Sequence, residues 1–275
     1  MAKIKEIKAR SIITKSGLPG ADFVVNPYIG CAHACLYCYA RFMKRFTGHD
    51  EPWGDFVDVK INAPDLIPKN FDKYRNKNIV IGSVTDPYQR AEEKHKITRQ
   101  VLQKLINWPC SFDIITKSAL VVRDIDIFKK FPNLNVALSL AFTDDIIREG
   151  LEPGADSIDR RISALKALHE NRIRTTVFIS PIFPILSDWK KIIRLTKKYA
   201  NGYWFENLNI YPSVRDNIYA FFKKNHPELI GRYREIYKDS RTYWRGIERE
   251  IENFCQKEKT AYRIFFHHSD IKKVK

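Results

Sequence analysis

The chain has 275 residues, 44% of them hydrophobic, which is enough to bury a full core. Its five cysteines, three of them crowded into eight positions, exclude a disulfide framework and point to a reducing compartment. Lys and Arg outnumber Asp and Glu by 48 to 32, a net charge of +16 that favours polyanionic partners, nucleic acid first; a lysine-rich background serving solubility is the plainer account, because the charge runs from KIKEIK at the start to IKKVK at the end.

The N-terminal MAKIKEIKARSIITKSG lacks the apolar core of a signal peptide, and the longest uncharged run, TTVFISPIFPILS, is short and holds two prolines. The expectation is a cytoplasmic protein with no membrane span. Strands are then predicted at 22–27, 78–84, 111–118, 134–142, 174–182 and 202–210, apolar on both faces as parallel strands are. Between them, amphipathic helices are predicted at 95–108, 123–131, 157–172 and 187–200, with Ser157 and Ser187 as N-caps. Alternating units of this kind predict an α/β fold, a partial (β/α)6 TIM-like barrel over residues 1–212, with chemistry at the strand C-termini. Residues 213–275, rich in aromatics and charge, read as a helical extension of two or three helices packed on the barrel, followed by an apolar YRIFF.

Just after the first predicted strand comes GCAHACLYCYA, Gly30 to Ala40. Cys31, Cys35 and Cys38 have the spacing C-x3-C-x2-C. Three thiolates can hold three corners of a four-iron, four-sulfur cube and leave the fourth iron open to a substrate or cofactor. The rival reading is a zinc site that adds His33, although structural zinc usually draws ligand pairs from separated segments. Cys110 and Cys255 stand alone and read as small buried hydrophobes. Downstream, ARFMKRFTGHDEPWGD interleaves Arg41, Lys44 and Arg45 with Phe42, Phe46 and Trp53. Such a mixture suits stacked bases and phosphates, or else Phe42, Met43 and Phe46 form one packed helix face. His267 and His268 read as ordinary surface.

GCAHACLYCYA resembles the signature of the radical S-adenosylmethionine (SAM) superfamily, three cysteines with an aromatic before the third. NPYIGCAHACLYCYARFMKRFTGHDEPWG, GSVTDPYQ, ITKSALVVRDID and RRISALKALHENRIRTTVFISPIFP are similar to its spore photoproduct lyase-like branch. Within that branch the chain resembles, over most of its length, the group called radical SAM mobile pair protein B. The resemblance implies a [4Fe-4S] cluster on Cys31, Cys35 and Cys38, with SAM chelating the open iron through its amino and carboxylate groups. It implies reductive cleavage of SAM to methionine and a 5′-deoxyadenosyl radical that abstracts hydrogen from a substrate. An electron donor such as flavodoxin or ferredoxin and a partner radical SAM protein are implied as well.

Residue by residue, the resemblance sets Ser83, Thr85 and Asp86 beside the methionine amine, though Thr85, Asp86 and Pro87 also read as a plain turn. Lys117 and Ser139 match positions that contact SAM. Arg161 matches a recurring arginine that would pair with the SAM carboxylate or fix the loop around Glu152, while Arg160 reads as a surface charge. Tyr37 and Tyr39 flank the third cysteine as in the lyase, where such tyrosines are thought to relay a hydrogen atom, and Tyr37 also adjoins the cofactor. Ser83 stands where the lyase carries a cysteine hydrogen donor, so chemistry other than photoproduct repair is expected. The substrate expected is nucleic acid, for repair or modification. The alternatives are a peptide or small-molecule tailoring enzyme acting with a partner protein, and a non-enzymatic iron-sulfur or zinc module.

Overall fold

A computed structural model describes residues 2–266; His267 and His268 lie outside the described residues. Its strands are β1 (Lys3–Ile7), β2 (Ile13–Lys15), β3 (Phe23–Val25), β4 (Tyr28–Ile29), β5 (Phe56–Lys60), β6 (Asn78–Ile81), β7 (Ser111–Thr116), β8 (Leu134–Ser139), β9 (Arg174–Ile182), β10 (Gly202–Asn207) and β11 (Tyr262–Ile264). Its α-helices are α1 (Ala91–His95), α2 (Ile97–Leu105), α3 (Ile125–Phe128), α4 (Asp145–Leu151), α5 (Ile158–Glu170), α6 (Trp189–Thr196), α7 (Pro212–Asn225), α8 (Leu229–Lys238) and α9 (Ser240–Lys257).

The six predicted strands are β3 and β6 to β10, side by side and parallel. β2 extends one edge antiparallel and β11 the other edge parallel. The eight-stranded sheet runs β11-β10-β9-β8-β7-β6-β3-β2, and its edge strands do not pair, so the barrel is partial. The helices pack outside, against a core that includes Val101, Leu105, Leu165, Leu168, Ile193 and Phe222. No helix among the described residues is long and apolar enough to cross a membrane.

Several local expectations are corrected. β8 is buried along its whole length, but β7 and β10 alternate buried and half-buried residues, because their inner face lines an open cavity. The helix predicted at 95–108 is the shorter α2, and a separate α1 runs into it with a break at Lys96, whose φ is +51°. The buried Glu92 carboxylate accepts from the backbone N–H groups of Thr98 and Arg99, so it caps α2 and holds the break. Ser157 caps α5 as expected. Ser187 does not cap α6: its hydroxyl accepts from Phe183 N, and Asp188 is the cap. Residues 119–128 form a 3-10 turn running into the short α3 rather than one helix over 123–131. Beyond 213 the chain makes α7, α8 and α9 and then returns to the sheet as β11.

A second sheet, β1-β5-β4, backs the cysteine loop. His49 fastens it: Nε2 lies 2.8 Å from Asp58 Oδ1, Nδ1 lies 3.0 Å from Glu51 Oε2, and the ring stacks on Phe56 at 4.1 Å. Lys3 of β1 also donates to Glu51. Burial opposes charge on His49, but the bonds to Asp58 and Glu51 outweigh it and raise its pKa. A histidine whose folded pKa is raised contributes stability that is complete below its unfolded value and lost as pH rises through the folded one. The melting temperature of the wild type is therefore expected to fall, relative to that of His49→Gln, as pH rises above about 6.5. Equal pH slopes for the two proteins would refute the clamp.

Candidate active site

The cysteine loop follows β4, two residues beyond the strand where the sequence sets it. Its backbone is held from three sides. Ala32 N–H donates to Gln89 Oε1, Leu36 N–H donates to Leu151 O, and His33 O accepts from Gly154 N–H. Gly30 has a φ of +82°, and a Cβ there would lie 2.3 Å from Phe56 O. Gly154 packs so closely that a Cβ would lie 2.0 Å from Ala32 O. Both positions exclude side chains because backbone meets backbone.

Cys31, Cys35 and Cys38 all face the cavity enclosed by the sheet. Burial, with the nearby Asp86 and the other two sulfurs adding to it, holds the Cys31 thiol well above its ordinary pKa. Burial pushes Cys35 up to about 12 and raises Cys38 as well. Unliganded, these are thiols; a cationic iron cluster supplies the charge that makes them thiolates. The surroundings suit cluster sulfur. Among the described residues, the buried Trp53 indole N–H has no oxygen or nitrogen partner and faces Cys38, and Arg41 Nε is buried without one, while Arg41 Nη2 donates to Cys35 O. Among the described residues, no three His, Cys, Asp or Glu side chains converge on a single-ion site. A cube spreads its thiolate ligands over its corners, whereas a mononuclear zinc site crowds them round one ion. His33 is occupied otherwise. Its Nδ1–H donates to Gly154 O at 2.8 Å, and Nε2 lies 3.0 Å from Asp86 Oδ2, off the hydrogen-bond direction.

The strand ends divide into bracing groups and groups that face the cavity. Thr85 donates to Gly30 O at 2.6 Å. The Asp86 carboxylate accepts from Tyr88 N, Thr116 Oγ1 and Lys117 N. Burial works against its charge, but His33 and these donors prevail and lower its pKa to about 2. Both residues line the cavity wall, yet their polar atoms tie the segment after β6 to the cysteine loop. Ser83 Oγ accepts from Asn26 Nδ2 at 3.0 Å. Lys117 puts its ammonium over the Tyr37 ring, 5.8 Å from the centroid, with no hydrogen-bonded or ion-paired partner among the described residues. Ser139 lines the same wall.

Arg161 lies against the loop around Glu152. It donates to Glu152 Oε2 at 2.6 Å, to Ser139 O at 3.0 Å and to Asp156 O at 2.8 Å, and it does not line the cavity. Tyr37 donates to the other Glu152 oxygen and packs edge-on against Phe183. Tyr39 donates to Ser83 O and tilts against Phe42. Arg160 is exposed and pairs with Asp156.

The cavity measures about 300 Å³ and runs down the inner face of the sheet. Below the cluster loop, Phe178, Trp204 and Phe265 form its side wall. At the bottom, Asn78 and Asn135 both donate to the Asp113 carboxylate, and Thr176 donates to Asn135 Oδ1. None of these inner residues stands out in the sequence by its residue type. The period-2 alternation within 111–116 and 202–207 is the trace that finds them. At the rim, the 3-10 helix Tyr39–Phe46 departs from a packed face: Met43 packs inward, but Phe42 is 40% and Phe46 65% exposed. Arg45 lies 5.6 Å and 4.6 Å from their ring centroids.

A family model described as the radical SAM superfamily matches residues 25–196. An uncharacterized protein of Methanocaldococcus jannaschii is 40% identical over 265 residues, 96% of this chain and 98% of that protein. The radical SAM Nalpha-GlyT isomerase of Pseudomonas phage M6 is 23% identical over 179 residues, 64% of this chain and 36% of the isomerase. Among solved structures, spore photoproduct lyase complexed with dinucleoside spore photoproduct superposes with a TM-score of 0.73 at 14% identity, covering 96% of this chain and 82% of the lyase.

Proposed function

The chain belongs to the radical SAM superfamily, and from that premise we propose that this radical SAM enzyme acts on nucleic acid, in modification or repair. When bound, the [4Fe-4S] cluster and SAM supply reductive cleavage to a 5′-deoxyadenosyl radical that abstracts hydrogen. Cys31, Cys35 and Cys38 would hold the cluster. The unpaired Lys117 ammonium suits the SAM carboxylate, with Ser139 and Ser83 as short polar neighbours on the wall. Thr85, Asp86 and Arg161 would serve SAM indirectly, by fixing the loops that present it. Tyr37, tied to Glu152, would adjoin the cofactor; Tyr39, continuous with the rim, would sit on the substrate side. Radical SAM enzymes use an electron donor, here one of the flavodoxin or ferredoxin kind.

The observation that carries the nucleic-acid reading is the rim itself. Exposed aromatic faces covered by a guanidinium, starting one residue after the third cysteine, offer stacking for bases and charge for phosphates. The net charge of +16 acts in the same direction. The dinucleoside in the lyase complex belongs to that protein; at 14% identity the likeness supports the fold.

Fluorescence anisotropy with single-stranded DNA and RNA at low salt tests the reading. The triple variant Phe42→Ala, Arg45→Ala, Phe46→Ala is expected to bind at least about tenfold more weakly with its iron content intact, since each stacked base is worth ~1–3 kcal/mol. No affinity of the wild type for either polymer at low ionic strength would sink the reading, and would favour a peptide or small-molecule substrate presented by a partner protein.

A further inference from the structure

We propose that the inner wall of the cavity, well below the cysteine loop, is a subsite for a single nucleotide. Its base would lie against Phe178, Trp204 and Phe265, and its phosphate would rest on Arg263. This rests on the nucleic-acid reading and specifies which unit of the polymer enters the barrel.

Strand register sets the wall. Trp204 pairs with Phe178 on one side and with Arg263 on the other, so the three share the inner face, and Phe265 follows two residues after Arg263. The three rings meet edge to face, at centroid distances of 5.8 Å, 5.9 Å and 6.3 Å. All three stay only half-buried, whereas Phe205, Phe183 and Phe112 elsewhere in the fold are shut away completely. Three large aromatic rings turned together into a concavity leave apolar surface wet, and a flat heterocycle covers such surface with little loss of freedom.

The polar groups on the wall define what the ring must carry. Asn207 lines the cavity wall, 6% exposed, and its Oδ1, itself buried, has no hydrogen-bond partner among the described residues, so a base N–H that reaches it would satisfy it. Arg263 lines the same cavity, exposed, with no hydrogen-bond or ion-pair partner among the described residues. A guanidinium in that state suits a phosphate in bidentate fashion. The adenosine of SAM would satisfy the rings and Asn207 but brings no phosphate to Arg263. On the floor both Asp113 carboxylate oxygens accept hydrogen bonds, from Asn78 and Asn135, and on the wall Glu206 accepts from Ser180, so these acidic groups already have donors and leave Arg263 as the group for the phosphate.

Equilibrium dialysis of the reconstituted holoenzyme, saturated with SAM, against the four deoxynucleoside monophosphates and their nucleosides is the test. At least one monophosphate is expected to bind about tenfold more tightly than its nucleoside. Arg263→Ala should abolish that difference, and Trp204→Ala should weaken both ligands about tenfold, with circular dichroism and iron content unchanged. Equal binding of nucleotide and nucleoside, no effect of Arg263→Ala, or binding of the nucleotide only when SAM is left out would each overturn the subsite. The nucleic-acid reading fails separately: if single-stranded DNA binds through the rim while no mononucleotide binds, the subsite falls alone. If a mononucleotide binds and no polymer does, the subsite stands and the polymer reading falls; if neither binds, both fall.

Discussion

Cys31→Ala, Cys35→Ala and Cys38→Ala are each expected to lose the iron-sulfur cluster and to reduce 5′-deoxyadenosine formation to background. A cube held at three corners has no ligand in reserve. His33 cannot step in, because its ring bonds Gly154 and faces Asp86 in a loop clamped by backbone contacts. Nor can the other thiols. Cys110 donates to Tyr74 O at 2.9 Å beneath the sheet, and Cys255 is buried on α9. Anaerobic reconstitution followed by iron and sulfide analysis, then nucleoside detection after reduction, measures the effect; Cys110→Ala is the control that keeps full iron. A cysteine variant of the loop that retained full iron, or a wild type that took up zinc in place of iron, would refute the assignment.

The sequence reads most clearly where one physical constraint dominates. Six apolar β-branched runs separated by crossover lengths permit few folds, and the parallel sheet follows. The C-x3-C-x2-C spacing is equally legible, because no packing role needs three thiols in eight residues. Legibility fails where partners come from afar. KIKEI looks like a solvated charged run, yet it pairs with β5 as β1 because the cysteine loop needs backing. The break at Lys96 depends on Glu92, itself hydrogen-bonded by Tyr28 and ion-paired with Arg123, and no local propensity reveals that. Phe42, Met43 and Phe46 have helical spacing for one packed face, but in the structure the segment is a 3-10 helix on which only Met43 packs inward, with Phe42 and Phe46 exposed. Arg161 has two readings in the sequence for the same reason: its contacts involve Glu152, nine residues earlier and on the far side of a turn.

That pair gives the second large effect. Arg161 and Glu152 are almost fully buried and 2.6 Å apart. Burial alone would raise the Glu152 pKa, but the charges of Arg161 and Lys117 and the bonds from Tyr37 and Arg161 outweigh it and hold the carboxyl below its ordinary value. Arg161→Leu strands that carboxylate, and breaking a buried pair from one side costs about 3–5 kcal/mol. Lys117 stays near enough to Glu152 to favour the lower end. The variant carries its own signature. Without Arg161 the carboxyl has less reason to ionise, so it takes up a proton in the folded state at a higher pH than in the unfolded chain. Stability then rises as pH falls toward the unfolded value, and the deficit against wild type, which depends on the ionised form, narrows from pH 8 to pH 5. Glu152→Gln should keep the bond to Tyr37 while leaving Arg161 charged, so its deficit should not narrow in this way. Pairing Arg161→Leu with Glu152→Leu removes both charges and is expected to recover much of the loss, since an apolar replacement of a buried pair is often neutral. Denaturant titrations of wild type, Arg161→Leu, Glu152→Leu and the double variant at the two pH values close the cycle; additive losses with no pH signature would mean that the arginine only fills space, and that Glu152 holds Tyr37 beside the third cysteine without it.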